Sequence, residues 1–506
     1  MQGLYRHVSQ SRRDYSMLVS RWQVLRPEPW RGIARYIPIF AGTMLLGFSP
    51  VACTTVRPIQ VTNQVSLDGS APEFISTAVR TDATVTTYQP GQARGSPPQE
   101  ESLLFQGSEL TLQELIQAVL LRNPTLAEMV AAWQAASARA IQVASYEDPM
   151  FRVSVGPGSI GSDTVDFAYR LELSQKIPFP GKLSLRGEQA SREADASAQD
   201  YLDTRWQLIE ATSLAYYEYY LVHRALEVNQ ENLKLLQEAR RTAEARVRTG
   251  LAPQQDLLQL DVELGKQQER QLMLERMLTV TKARINTLLH RPPDESLPPP
   301  VAKLPVPQRL PQLENLYTQA LQNRPDLQAI RQRLESERLS LALADREYYP
   351  DFELMAAYDA FWQEKPLRTL VGVGMNLPVQ LTRRRAAIAE NAARLAQRQA
   401  QLDRLTDQIH LQVRENYTRL LESRNILDLY EKKLIPAAQA NIREATTAYT
   451  TGRIPLLSLL EAQRNLVQLR DRYYEVLADY YRALASLERA VAAWLNQDEH
   501  EGLEAN

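Results

Sequence analysis

The chain is written twice, and this repetition constrains its fold more than any other feature. A block beginning at Leu115 returns about 200 positions later, landmark by landmark. Asn123-Pro124 answers to Arg324-Pro325, and Pro149 to Pro350, both 201 positions on. Pro178 answers to Pro378 after 200 positions, and Thr249-Gly250 with Pro253 to Thr451-Gly452 with Pro455 after 202. Chance matching of prolines does not hold four landmarks in register to within two residues. Repeated units are usually ones that cannot bury their apolar face alone. The expected architecture is pseudo-symmetric, with function on the axis relating the copies.

Bulk composition removes several function classes. The 506 residues carry 58 basic and 60 acidic side chains, a formal charge of −2, without the clustered Lys and Arg of a nucleic-acid surface. A single Cys rules out a disulfide framework. His7, His223, His290, His410 and His500 lie far apart and show no metal-ligand spacing. Only 19 residues are Gly, while Gln, Ala, Leu, Arg and Glu dominate, a composition of long helices in mutual contact.

Hydrophobic period separates helix from strand. Leu112, Leu115, Ile116, Val119 and Leu120 share one face of a helix that begins at Thr111. Helix restarts at Pro124 and runs to about Tyr146. At Pro149 the period becomes two. Phe151, Val153 and Val155 alternate with Arg152 and Ser154, and a Gly-rich loop follows. Alternation resumes at Val165, Phe167, Tyr169, Leu171 and Leu173, and Pro178 ends it. In the second copy Phe352, Leu354, Ala356 and Tyr358 alternate, and Val371, Val373, Met375 and Leu377 return. Strands of about ten residues, apolar on one face, have the length and pattern of transmembrane β-strands. Tyr348, Tyr349, Phe361 and Trp362 at the strand ends are similar to an interfacial aromatic girdle. Four strands cannot close a barrel, and an open edge in lipid leaves backbone groups unsatisfied. The same alternation also suits a half-buried hairpin of a soluble domain; if these hairpins enter a bilayer, several chains must share one barrel.

From Lys182 no helix breaker occurs before Gly250, enough for a rod of about 100 Å. Leu208, Ala215, Val222 and Leu236 make a seven-residue stripe, with Tyr219, Leu226 and Leu233 beside it, as in a coiled coil. The last helix carries a stripe from Leu459 through Leu466, Leu469, Tyr473 and Leu477 to Val491 and Trp494. Its eleven-residue step from Leu466 to Leu477 straightens the supercoil, as the wall of a wide cylinder requires. Arg291 to Pro311, with eight prolines, reads as a connector between the copies.

The N-terminal region carries export features. Arg31 and Arg35 precede an apolar run from Tyr36 to Ala52 that ends at Cys53, the pattern of a secretory signal. The stretch before Arg31 is long for such a signal, which allows a start at Met17. Ser49-Pro50-Val51-Ala52-Cys53 resembles a bacterial lipobox, whose Cys becomes the acylated first residue of the mature protein. Pro50 departs from the large aliphatic residue usual there. From Thr54 to Gly107 the composition turns to Thr, Ser, Val, Gly, Gln and Pro, which reads as an extended tether.

No catalytic constellation is evident. Gly181-Lys182 is followed by Leu183 and lacks the earlier glycine of a phosphate-binding loop. Carboxylates such as Glu231 and Glu238 read as solvated helix residues. Neither an enzyme nor a cofactor is expected.

Two copies of helix–strand–strand–helix behind a signal, with turns reading Arg248-Thr249-Gly250-Leu251 and Tyr449-Thr450-Thr451-Gly452, resemble the TolC family of outer-membrane efflux proteins. The resemblance covers about Thr111 to Trp494. The run Ser174-Gln175-Lys176-Ile177-Pro178-Phe179-Pro180-Gly181-Lys182 is similar to the strand-to-helix passage of the branch serving heavy-metal efflux pumps. The family implies a mainly α fold with a small transmembrane β part. In it a homotrimer pools four strands per chain into a twelve-stranded barrel above a coiled-coil tunnel. It also implies a periplasmic adaptor (membrane fusion) protein and an inner-membrane transporter as partners, and the outer membrane of a Gram-negative cell as location. Gly250 and Gly452 would lie at the periplasmic tips. Asp256 falls where the family carries a gating aspartate and Tyr449 where it carries a gating tyrosine. Arg453 stands one residue short of the gating arginine, whose place Ile454 takes, and Ser458 replaces a second tip aspartate. On the residues alone, Asp256 reads equally as a charge favouring a helix N-terminus, and Gly250 and Gly452 as left-handed helix ends.

The expected organisation is a signal region over 1–52, a lipid-anchored tether over 53–108, a first repeat over 109–290, a linker over 291–311, a second repeat over 312–497 and a tail over 498–506. The expected function is a passive exit duct for metal ions or small molecules in a tripartite pump. The rivals are a protein-secretion duct and a periplasmic coiled-coil scaffold or adaptor, the last of which leaves the matched hairpins unexplained.

Overall fold

The computed structural model describes residues 108–305, 311–362 and 364–495. The expectations for the signal, for Cys53, for nearly all of the tether and for the tail fall outside these residues. Within them the chain is mostly helical with one small antiparallel sheet. In the first half, helices α1 (Leu112–Arg122) and α2 (Pro124–Ala144) lead to strands β1 (Met150–Val155) and β2 (Tyr169–Ile177). Helices α3 (Lys182–Arg248) and α4 (Gln254–Leu288) follow. The second half repeats the order as α5 (Leu313–Asn323), α6 (Pro325–Arg346), β3 (Phe352–Asp359), β4 (Thr369–Met375), α7 (Leu381–Leu429), α8 (Ile435–Thr450) and α9 (Leu456–Val491).

Local chemistry accounts for the helix starts. Thr111 and Glu114 form a reciprocal capping box at α1, with the Glu114 N–H donating to Thr111 Oγ1 at 3.3 Å. Asn123 Oδ1 accepts from Thr125 N–H at 3.0 Å, and Pro124 opens α2, where a missing N–H costs nothing. The Asn123 amide also donates to the Leu288 carbonyl at 3.0 Å, so α2 begins where α4 ends. Arg324 does the same in the second copy, reaching the Ala490 carbonyl at the end of α9 from the start of α6.

The helix α3 runs 67 residues without a break, about 100 Å. It packs on α2 and α6 towards the sheet and on α4 and α9 away from it. Its matching rod in the second copy is interrupted. A π turn at Tyr430–Leu434 separates α7 from α8, and Pro436 beside it has no N–H to close the normal ladder. Ala215, Tyr219, Val222 and Leu236 of the expected α3 stripe are buried, while Leu208, Leu226 and Leu233 are half-buried.

The stripe of the last helix needs a correction at its end. The helix α9 stops at Val491 because Ala492 turns left-handed, with φ of 52°. Trp494 lies beyond it and packs on Trp206, ring centroids 5.2 Å apart.

The described part of the connector before residue 306 is tied down. Leu110 N–H donates to Pro299 O at 2.7 Å, Tyr219 Oη to Pro298 O at 3.0 Å, and Asn286 Nδ2 to Pro293 O at 2.9 Å. Tyr216 Oη donates to Leu110 O at 2.9 Å. Leu110 and Leu297 join the main apolar core with Tyr216, Tyr217, Tyr219, Tyr220, Tyr480 and Tyr481. Tyrosine suits a waist where apolar helices meet proline-rich backbone, because its ring packs and its hydroxyl serves free carbonyls.

Candidate functional site

The sheet runs β1-β2-β3-β4, every pair antiparallel. Residues opposite each other share a face, so the register sorts side chains into two surfaces. One surface has the rows Val155–Tyr169, Val153–Leu171–Tyr358–Thr369, Phe151–Leu173–Ala356–Val371, Gln175–Leu354–Val373 and Ile177–Phe352–Met375. Gln175 and Thr369 are the only polar members of these rows. Val371 is 83% exposed, Val373 67% and Phe151 64%, so nothing among the described residues covers this face. The other surface has the rows Ser154–Arg170–Asp359, Arg152–Glu172–Ala357–Leu370, Met150–Ser174–Met355–Gly372 and Lys176–Glu353–Gly374. Most of its charges are paired: Arg152 with Glu172 at 3.0 Å, Arg170 with Asp359 through Nε at 3.0 Å, and Lys176 with Glu147 at 3.4 Å.

An uncovered apolar face opposite a charge-paired face is what a wall between hydrocarbon and water requires. Among the described residues no helix is long and apolar enough to cross a membrane. The strands are shorter than expected, at 6, 9, 8 and 7 residues. Phe167 lies outside them. The ladder starts at Tyr169 because its partner β1 ends at Val155, and Gly156 N–H then bonds Ala168 O at 2.9 Å in the loop. Strands β1 and β4 pair on one side only, which leaves two edges open. Of the aromatic residues at the strand ends, Tyr349 stacks on Phe179 at 4.6 Å, and Phe361 closes over Gly156, where a Cβ would come within 2.9 Å.

Far from the sheet, the α3–α4 and α8–α9 turns lie together. Gly250 and Gly452 have φ of 74° and 77°. Each ends its helix with paired bonds: Gly250 N–H to Val247 O and Leu251 N–H to Arg246 O, Gly452 N–H to Tyr449 O and Arg453 N–H to Ala448 O. Both turns need a left-handed residue, and glycine takes that conformation without a Cβ clash. Leu236, Ala243, Leu260, Tyr449, Leu456 and Leu459 form a small apolar cluster just above.

The structure brings Asp256 close to Tyr449 and leaves the Arg453 side chain exposed. Asp256 occupies the first turn of α4 without capping it. Tyr449 is buried, and its hydroxyl makes no hydrogen bond of ordinary geometry. Burial, and then the Asp256 carboxylate nearby, push the Tyr449 phenol up, while Arg246 opposes them. Arg453 and Gly452 are exposed. Ser458 donates its N–H to Pro455 O at the start of α9.

Arg246, in the last turn of α3, went unnoticed in the sequence, where a basic helix end looks ordinary. Its Nη1 donates to the Tyr449 carbonyl and its Nη2 to the Leu251 carbonyl at 3.4 Å. Its guanidinium sits 4.8 Å from the centre of the Tyr449 ring.

Higher up, polar side chains link α4, α3 and α9. Gln463 donates to Asn232 at 2.9 Å, Arg270 pairs with Asp471 at 2.6 Å, and Glu263 pairs with Arg464 and with Lys266, the latter at 3.0 Å. Burial pushes the Glu263 carboxyl up, but hydrogen bonds from Arg464 and Lys266 outweigh it and hold the group below its ordinary range.

Comparison with known proteins follows the repeat. The model of the outer membrane efflux protein family matches residues 115–290 and again 316–493. The chain is 21% identical over 345 residues to toxin and drug export protein A of Aggregatibacter actinomycetemcomitans, covering 63% of this chain and 74% of that protein. It is 27% identical over 176 residues to the cobalt-zinc-cadmium resistance protein CzcC of Cupriavidus metallidurans, covering 34% of this chain and 41% of that one. The solved outer-membrane channel OprN superposes with a TM-score of 0.66 at 20% identity, covering 76% of this chain and 90% of OprN.

Proposed function

The chain belongs to the outer membrane efflux protein family, and from that premise we propose that three copies pool their sheets into one twelve-stranded barrel. As a member of that family it is an outer-membrane channel, the exit duct of a tripartite efflux pump in a Gram-negative cell. The observation that carries the shared barrel is the apolar, uncovered sheet face with its open β1 and β4 edges. In hydrocarbon each unpaired backbone group costs several kcal/mol, about enough that a lone four-stranded sheet would not persist. Pairing β4 of one copy with β1 of the next removes every edge.

The long helices then extend the pore into the periplasm, where the tips meet a periplasmic adaptor fed by an inner-membrane transporter. The two repeats, 109–290 and 312–497, each supply one hairpin and one coiled-coil arm, and the segment 53–108 tethers the chain to lipid through Cys53. Asp256 and Tyr449 hold the tip closed, a role supported by their proximity and by the burial of Tyr449. The cargo is metal ions or small molecules, which pass without being bound. Metal ions are favoured by the Ser174–Lys182 passage and by the likeness to CzcC. Among the described residues no cluster of His, Cys, Asp or Glu could hold a metal ion, as a wide conduit allows.

The test is the mass and compartment of the detergent-extracted native protein from separated membranes. A complex of three chains in the outer-membrane fraction supports the shared barrel, and a monomer sinks it. Loss of cobalt, zinc and cadmium tolerance on deletion would support metal cargo, and unchanged tolerance would remove it. Fatty-acid labelling of wild type against Cys53→Ser tests the anchor.

A further inference from the structure

We infer that Arg246 is a latch that holds the α8–α9 hairpin against the α3–α4 hairpin, an inference that rests on reading the tips as a gate. One guanidinium serves both turns. It donates to the Tyr449 carbonyl at the end of α8 and to the Leu251 carbonyl beyond the end of α3, and it lies on the face of the Tyr449 ring. Helix-end carbonyls carry partial negative charge, so a cation there is favoured twice. Gly452 lies close beside it, and a Cβ there would stand 3.2 Å from Arg246 Nη2. At Gly250 a Cβ would meet nothing within 4 Å.

The repeat shows that this is a device of one copy only. Shifted by the spacing of the two turn glycines, Arg246 corresponds to Ala448, Val247 to Tyr449 and Asp256 to Ser458. Both charged groups stand on the first copy and the aromatic on the second. Arginine at both positions would set two cations against each other, whereas one arginine facing the alanine-bearing copy has carbonyls to bind.

The mechanical setting differs between the copies in the same sense. The rod α3 is continuous down to Arg246, while α7 and α8 are divided by the π turn at Tyr430–Leu434 next to Pro436. A π turn is a frequent site of bending in a long helix. From Leu434 to Tyr449 the helix spans about 22 Å. The α8–α9 hairpin thus has a hinge at its upper end and Arg246 at its lower end, and release of the one lets the hairpin turn about the other.

The experiment is single-channel recording from the full-length trimer with Arg246→Ala, Arg246→Gln and the double variant Asp256→Ala/Tyr449→Phe. Loss of a charge-assisted hydrogen bond corresponds to about a tenfold rise in open population. That rise is expected for Arg246→Gln, which keeps a polar amide on a shorter stem but not the charge, and for Arg246→Ala, with trimer yield and thermal stability near wild type. Unchanged conductance in both Arg246 variants overturns the latch, whatever the double variant does. A rise in the Arg246 variants with a silent double variant upholds the latch and removes the Asp256–Tyr449 pair from the gate.

Discussion

Lys182, at the first turn of α3, donates through Nζ to Asp351 Oδ1 at 2.8 Å, and so joins the first copy to the second where sheet meets helices. The lysine is wholly buried, while the Asp351 side chain is 31% exposed. Lys182 also donates to the Tyr349 carbonyl at 3.0 Å, Asp351 accepts from Phe179 N–H at 2.9 Å, and Arg346 reaches the Pro180 carbonyl at 3.0 Å. The β2-to-α3 passage is thereby fastened to the α6-to-β3 passage, which sets the β2–β3 pairing between copies.

The two partners should not be equally replaceable. Asp351→Ala removes the nearer carboxylate from a buried ammonium and leaves it the Tyr349 carbonyl at 3.0 Å and Glu347 at 3.5 Å, at a cost of about 2–3 kcal/mol for the lost charge-assisted bond. Lys182→Met puts an apolar chain of similar length in the buried site and leaves a carboxylate that water can reach, so its cost is about 1–2 kcal/mol. Thermal unfolding of the two purified variants checks the order. Equal losses would mean that the pair is not what fastens the junction.

The two sheet faces should differ in their tolerance of charge. Val371→Arg places a guanidinium on the uncovered apolar face, at about 2–4 kcal/mol if it sits near the bilayer midplane. Ser154→Arg places the same group beside Arg170 and Asp359 on the charged face, where water and carboxylates can take it up. Outer-membrane yield is expected to collapse for the first and to stay near wild type for the second. Equal yields would reverse the assignment of faces.

These faces were legible from the chain because a strand repeats every two residues, so Val371 and Val373 declare their side without any partner being known. The copies were legible because Pro124, Pro325, Gly250 and Gly452 constrain the backbone the same way wherever they stand. Strand ends were not, since the ladder stops where its partner stops: Phe167 alternates correctly but has nothing beyond Val155 to pair with. Lys182 and Arg246 escaped for a related reason. Asp351 and Tyr449, which they hold, lie more than 160 positions away in sequence, and the failed phosphate loop at Gly181-Lys182 gave no hint of the pairing. The interruption of the second rod was missed too, because one proline in a long helical pattern does not reveal a π turn.

Acidity should weaken the helical wall through His223. Burial first, then Lys282 and Arg224, push its imidazole down to about 4 from the usual 6.5, and its Nε2 has no hydrogen-bond partner. The unfolded chain takes up a proton below about 6.5, whereas the folded chain does so only near 4. Stability therefore falls as the pH drops through that window and levels off below it. His223→Gln removes the titration, and its unfolding temperature is expected to vary less with pH than that of wild type between those limits. Parallel curves would show that other groups dominate acid sensitivity.

The two turn glycines should separate a cost to folding from a cost to closure. Alanine at either position must hold a left-handed φ, which costs about 1–2 kcal/mol. At Gly250 that is all, because the added methyl meets open space. At Gly452 the methyl would stand 3.2 Å from Arg246 Nη2, closer than an ordinary contact, so the guanidinium must give by a few tenths of an ångström, which loosens the bond from Nη2 to the Leu251 carbonyl first. Similar losses of thermal stability are expected for Gly250→Ala and Gly452→Ala, with raised single-channel conductance for Gly452→Ala alone. If Gly250→Ala opens the channel equally, strain in either turn is enough to loosen the tip, and the glycine at 452 has no special relation to Arg246.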